Sequence, residues 1–147
     1  VDTRLIVTAP VMAYVAVLGL FSLAQSTVDV AFTDGQPAFM IVIGLLGPVT
    51  ALGLIWLKNY AYGAPLLVLT VFSNAWFVSY FFFVHDNSAN VFAASGDGAA
   101  AYMMSAVGLV ATSLILGGVG CWLWYRESAQ FRTAVDRFVR PSTGPEH

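Results

Sequence analysis

Charge is scarce in this chain: 10% of its 147 residues are Asp, Glu, Lys or Arg, whereas soluble domains carry about 25%. So little charge cannot cover a water-facing surface. Cysteine is scarcer still, and the single Cys121 excludes an internal disulfide. Both histidines, His85 and His147, stand outside the apolar runs. No Cys or His spacing suits a metal ion, so no metal site is expected. A haem or di-iron bundle needs inward-facing His or Glu ligands, and the apolar runs hold neither. The net charge of −2 leaves no basic footprint for nucleic acid.

What the chain has instead is apolar length. Hydrophobic residues make up 59% of it, and its mean hydropathy is +0.78. A bilayer-crossing helix needs about 20 mostly apolar residues. Four stretches qualify, at 5–24, 38–57, 63–84 and 101–125, and none contains Asp, Glu, Lys, Arg or His. Each run is continuously apolar, which favours helices over the alternating strands of a membrane barrel. The expected fold is therefore all-α: an integral membrane four-helix bundle over residues 1–125, then a cytoplasmic amphipathic helix and short tail over 126–147.

The charges that exist are sorted. Arg4, Lys58, Arg126, Arg132, Arg137 and Arg140 all fall on one side of the expected topology. The loops on the other side hold Asp29, Asp34, Asp86 and Asp97 and no base. Basic residues are retained on the cytoplasmic side, so both termini are expected there, in a multi-pass protein of the cell membrane. Aromatic residues suit two interfacial belts: Trp56, Tyr60, Tyr62, Trp122, Trp124 and Tyr125 at one face, Phe39, Phe82, Phe83 and Tyr102 at the other. Ser22-Leu23-Ala24 resembles a signal-peptidase site, but the first run is longer than the 7–15 residues of a typical signal core. Span 1 is expected to be retained. The Ala-, Val- and Gly-rich composition, with Arg over Lys, fits a high-GC prokaryote or archaeon.

Two loop-to-helix junctions share a pattern, Asp34-Gly35-Gln36-Pro37-Ala38-Phe39-Met40 and Asp97-Gly98-Ala99-Ala100-Ala101-Tyr102-Met103. A parallel duplication of two hairpins would produce this, but chance likeness between small-residue loops is the better account. Pro48 lies mid-span after Gly44 and Gly47 and is expected to kink span 2, as a hinge or as an ordinary packing kink. Beyond Tyr125, Phe131, Ala134, Val135 and Phe138 share one helical face, and Arg132, Asp136 and Arg140 another. Such a stripe suits a helix on the inner leaflet; the alternative is a plain continuation of span 4.

An ionisable residue inside a membrane is the default functional signal, and the runs lack one. Weaker polar groups come to a common depth instead: Tyr14, Thr50 beside Pro48, Ser73 and Asn74, and Thr112 and Ser113. A buried amide left unpaired costs several kcal/mol, so Asn74 needs partners, for which the Thr112 and Ser113 hydroxyls are natural candidates. Interhelical bonds of this kind are common structural glue; a ligand pocket or a subunit contact is the alternative. Gly44, Gly47, Ser105 and Gly108 are the expected sites of close helix packing. Phe72, Trp76, Phe77, Tyr80, Phe81, Phe82 and Phe83 crowd span 3. A stripe of this kind would accommodate a lipid, quinone or carotenoid, though bundle core and lipid-facing bulk explain it as well. No cofactor is called for by the residues.

The resulting expectation is a non-catalytic integral membrane subunit that packs with other membrane proteins or with itself, as an accessory component of a larger complex. The alternative is a binder or passive conductor of a small apolar or neutral molecule at the layer around Asn74. No enzyme is expected, because no nucleophile–base pair or metal set can be assembled.

Overall fold

The computed structural model describes residues 2–28, 30, 32 and 35–139. Arg140, His147, Asp29 and Asp34 lie outside the described residues. Among those described, all regular structure is helical. Helix α1 is Thr3–Gln25. Span 2 is built in three pieces: α2 (Gly35–Ile41), a π-helical turn (Val42–Leu46) and α3 (Gly47–Trp56). Span 3 is α4 (Tyr60–Ser79) closed by a second π turn, Tyr80–Val84. Span 4 is α5 (Ala99–Glu127), and a short helix α6 (Ala129–Val139) follows. Four helices are thus long and apolar enough to cross a membrane. They begin and end within about three residues of the apolar runs, because a helix must satisfy its own backbone wherever water is absent.

Local chemistry sets each helix end. Asp2 caps α1 by accepting the Arg4 amide at 2.9 Å. The α3 helix closes with Lys58 in the left-handed region at φ 62°. The Lys58 amide donates to the Ile55 carbonyl at 3.0 Å and the Asn59 amide to the Leu54 carbonyl at 2.8 Å, the paired bonds of a Schellman cap. Asn59 then accepts the Tyr62 amide as the cap of α4. At the end of span 4 the chain is extended at Ser128, whose hydroxyl accepts the Phe131 amide at 3.2 Å. The tail is therefore a separate helix and not a continuation of α5.

The helices pack in the order 2-3-4-1 around the bundle, with α4 against α5, α5 against α1 and α3 against α4 as the extensive interfaces. Spans 1 and 2 meet mainly through α3, with a further tie from Tyr14 to Gly44 in the π turn, so the ring is closed at one end and parted at the other. At the closed end, which carries Arg4 and Lys58, the Arg4 guanidinium donates to the Trp56 carbonyl at 3.1 Å and lies 4.6 Å from the centre of its indole. The Trp56 indole N–H in turn donates to the Thr8 hydroxyl at 2.9 Å. Side-chain and backbone hydrogen bonds from Arg4 hold the Asp2 carboxyl below its ordinary range.

Aromatic residues fill the opposite end. Phe21 stacks on Phe82 and Tyr102 with ring centres 5.3 and 5.1 Å apart, and Phe39 stacks on Phe77 at 4.3 Å. Phe82 and Tyr102 are fully buried, so these two belong to the bundle core and not to an interfacial belt. Phe72, Trp76 and Tyr80 face outward on the same span.

Candidate functional site

The polar layer forms around a proline. Pro48 has no N–H, so the Gly44 carbonyl, four residues earlier, loses the donor an α-helix would give it. Span 2 responds with the π turn, in which the Gly47 amide bonds back to the Val42 carbonyl. The Gly44 carbonyl instead accepts the hydroxyl proton of Tyr14, from span 1. The same Tyr14 oxygen accepts from the Asn74 amide nitrogen of span 3 at 2.9 Å. Tyr14 and Asn74 are fully buried. Three spans are thereby joined at one hydroxyl, which uses both its donor and its acceptor capacity.

Span 4 closes the layer with Ser113, also fully buried. Its hydroxyl lies beside the Tyr14 phenol but outside hydrogen-bonding geometry, and Ser113 Oγ and Asn74 Oδ1 are both buried without a partner among the described residues. The carboxamide oxygen faces Gly44, where an added Cβ would stand 2.9 Å from it. Glycine at 44 is what lets the amide reach this depth.

The other sequence-predicted residues fall elsewhere. Thr112 donates to the Gly108 carbonyl of its own helix at 2.8 Å, the usual outlet for a helical hydroxyl, and not to Asn74. Ser73 and Thr50 are exposed on the outside of their spans. Gly47 packs against Thr70, whose Cγ2 would lie 2.5 Å from an added Cβ. Pro48 is buried beneath the π turn. Gly108 faces Val17 of span 1, and the half-buried Ser105 hydroxyl bonds to the Tyr102 carbonyl at 3.0 Å. That seam therefore meets a helix of the same chain.

A second polar cluster had no counterpart in the sequence reading. In the loop after span 3, Asn87 donates to the Phe81 carbonyl at 2.6 Å and accepts the Ala89 amide at 2.9 Å. The same side-chain oxygen accepts from the buried Gln36 amide of span 2 at 3.3 Å. Asn90 donates to the His85 carbonyl at 2.9 Å, and Tyr102 to the Ala89 carbonyl at 2.6 Å. Two asparagines straight after an apolar run are a turn signal that could have flagged this cap.

Among the described residues no group of three or more His, Cys, Asp or Glu side chains converges as a metal site would require. Set against known protein families, curated proteins and solved structures, the chain matches none. The class defined by the fold is an all-helical bundle whose four long apolar helices would contact lipid.

Proposed function

We propose that the chain is a non-catalytic integral membrane subunit that packs against other membrane proteins or further copies of itself. The supporting observation is the uneven use of its spans. Half of the most apolar stretch of span 3 is buried, but only 28% of those of spans 1 and 2. The Asn74 layer meanwhile turns inward: Tyr14 spends its hydrogen-bonding capacity on Gly44 and Asn74. Such bonds act as glue between membrane helices, worth about 0.6–2 kcal/mol each. The chain's own interior is fixed, and its remaining surface is apolar wall suited to neighbours.

Orientation follows from charge. Arg4, Lys58, Arg126, Arg132 and Arg137 lie at or beyond one set of ends of spans 1, 2 and 4, and the positive-inside rule puts that set in the cytoplasm. On this reading α6 lies along the inner leaflet, with the exposed Phe138 and Val139 towards lipid and Arg137 towards headgroups. Impermeant-maleimide labelling of Gln130→Cys and Ser95→Cys, each in a Cys121→Ser background, tests this. Only Ser95→Cys should react from outside intact cells; the reverse pattern inverts the topology.

A second reading rests on Asn74 Oδ1 and Ser113 Oγ, whose unmet valences suit a small neutral molecule. Asn74→Leu separates the two, since glue predicts altered stability alone and a pocket predicts lost binding in a folded protein. Native mass spectrometry after gentle extraction tests the main reading. Stoichiometric membrane-protein partners or a defined homo-oligomer are expected, and a partnerless monomer would contradict it.

A further inference from the structure

Spans 1 and 2 are tied at the basic end by Arg4 and Trp56 and at mid-depth by Tyr14 and Gly44. Beyond that point they part and leave a cavity of about 470 Å³. Val15, Leu18 and Phe21 form one wall, and Met40, Ile41 and Leu45 the other. Leu18, Phe21 and Met40 are buried, while Ile41 is 54% exposed, so the cavity opens sideways between the helices. Ser22 and Gln25, polar and uncharged, stand at the mouth near the end of span 1. The volume lies within the roughly 300–1,000 Å³ of small-molecule sites.

The occupant follows from size and chemistry. A cavity with apolar walls stays dry. A helix with its side chains is about 10 Å across, so this volume would seat only about one turn of it. The lining runs along span 1 from Val15 to Gln25, about 15 Å at the helical rise of about 1.5 Å per residue, a slot that suits a slender alkyl chain with its polar head at Ser22 and Gln25. Gly19, on the same wall, adds a further observation. A Cβ there would meet nothing within 4 Å, so the wall is lowest where a larger residue would fill the groove.

We propose that the cleft between spans 1 and 2 binds one acyl chain of a bilayer phospholipid, with the headgroup at the Ser22 and Gln25 rim. The cleft lies on the little-buried side of spans 1 and 2, and its test uses the reconstituted chain alone, so the result does not depend on whether partners co-purify. The full chain is reconstituted in phosphatidylcholine vesicles doped with phosphatidylcholine bearing a diazirine in one acyl chain. Photolysis adducts are then mapped by mass spectrometry. Adducts at Val15, Gly19, Ile41 and Leu45 should exceed severalfold those at Leu69 and Ile115, which are exposed elsewhere on the bundle. Gly19→Leu should bring cleft labelling down to the level of Leu69. Gly53→Leu, placed in open space outside the cleft, should leave it unchanged. Should Gly19→Leu lose its cooperative melt, Val15→Phe narrows the groove from the same wall. Labelling no stronger in the cleft than at Leu69, or cleft labelling that persists in a folded blocking variant, overturns the proposal.

Discussion

The Tyr14 hydroxyl donates to the Gly44 carbonyl, the oxygen deprived of its helical donor by Pro48. A residue of span 1 thus repairs a defect in span 2, and Asn74 of span 3 holds the repairing hydroxyl in place at 2.9 Å. The kink and the glue are one construction. In a bilayer no water can satisfy the freed carbonyl, so the repair must come from another helix.

Removing the hydroxyl leaves the Gly44 carbonyl and the Asn74 amide buried and unpaired. Tyr14→Phe should therefore cost about 1–3 kcal/mol, read as a lower unfolding midpoint in detergent micelles. Its ring remains to fill the same space, so loss of packing is a poor explanation for the change.

Gly44→Ala would place a methyl group 2.9 Å from Asn74 Oδ1 and 3.2 Å from its Cγ. Overpacking of this kind costs about 1–3 kcal/mol, and thermal melts should show it. Gly53→Ala meets nothing within 4 Å and should be neutral or gain up to about 1 kcal/mol from helix propensity.

Lys58 holds a left-handed conformation at φ 62° in a position where glycine is the favoured helix terminator. Lys58→Gly relieves a left-handed cost of about 1–2 kcal/mol, offset in part by about 0.5–1 kcal/mol of glycine backbone entropy, and should raise stability on thermal melting. The same change removes a topology-setting cation, so impermeant labelling should be run beside it.

The Asp2 carboxyl is held below its ordinary value by side-chain and backbone hydrogen bonds from Arg4. A depressed folded value means that its contribution is present above the unfolded value of about 3.9. The contribution is lost as pH falls through the lower folded value. Melts of the wild type and Asp2→Asn should therefore differ at neutral pH and converge below about pH 4. A gap that widens as pH falls would contradict the latch at the basic end.

The four spans were legible because a long apolar run is a one-dimensional signal, and the common depth of Tyr14, Asn74 and Ser113 could be found by counting along each run. The pairing at that depth could not. Thr112 and Ser113 look equally able to serve Asn74, but the Thr112 hydroxyl finds the Gly108 carbonyl one turn back and the Asn74 amide goes to Tyr14. Thr50 and Ser73 share the depth and face outward, since depth says nothing of rotation about the helix axis. The π turn goes with a tertiary hydrogen bond from Tyr14 to Gly44, which no local pattern encodes. Gln36 and Asn87 are 51 residues apart, and their contact depends on how the two hairpins pack.

A double-mutant cycle between Tyr14→Phe and Pro48→Ala tests the repair most directly. Alanine at 48 restores an N–H able to serve the Gly44 carbonyl from within span 2. Tyr14→Phe should then cost at least about 0.5 kcal/mol less in the Pro48→Ala background than in the wild type, the size of coupling seen between interacting residues. Equal costs in the two backgrounds would contradict the account, because Tyr14 would not be supplying what the proline removes.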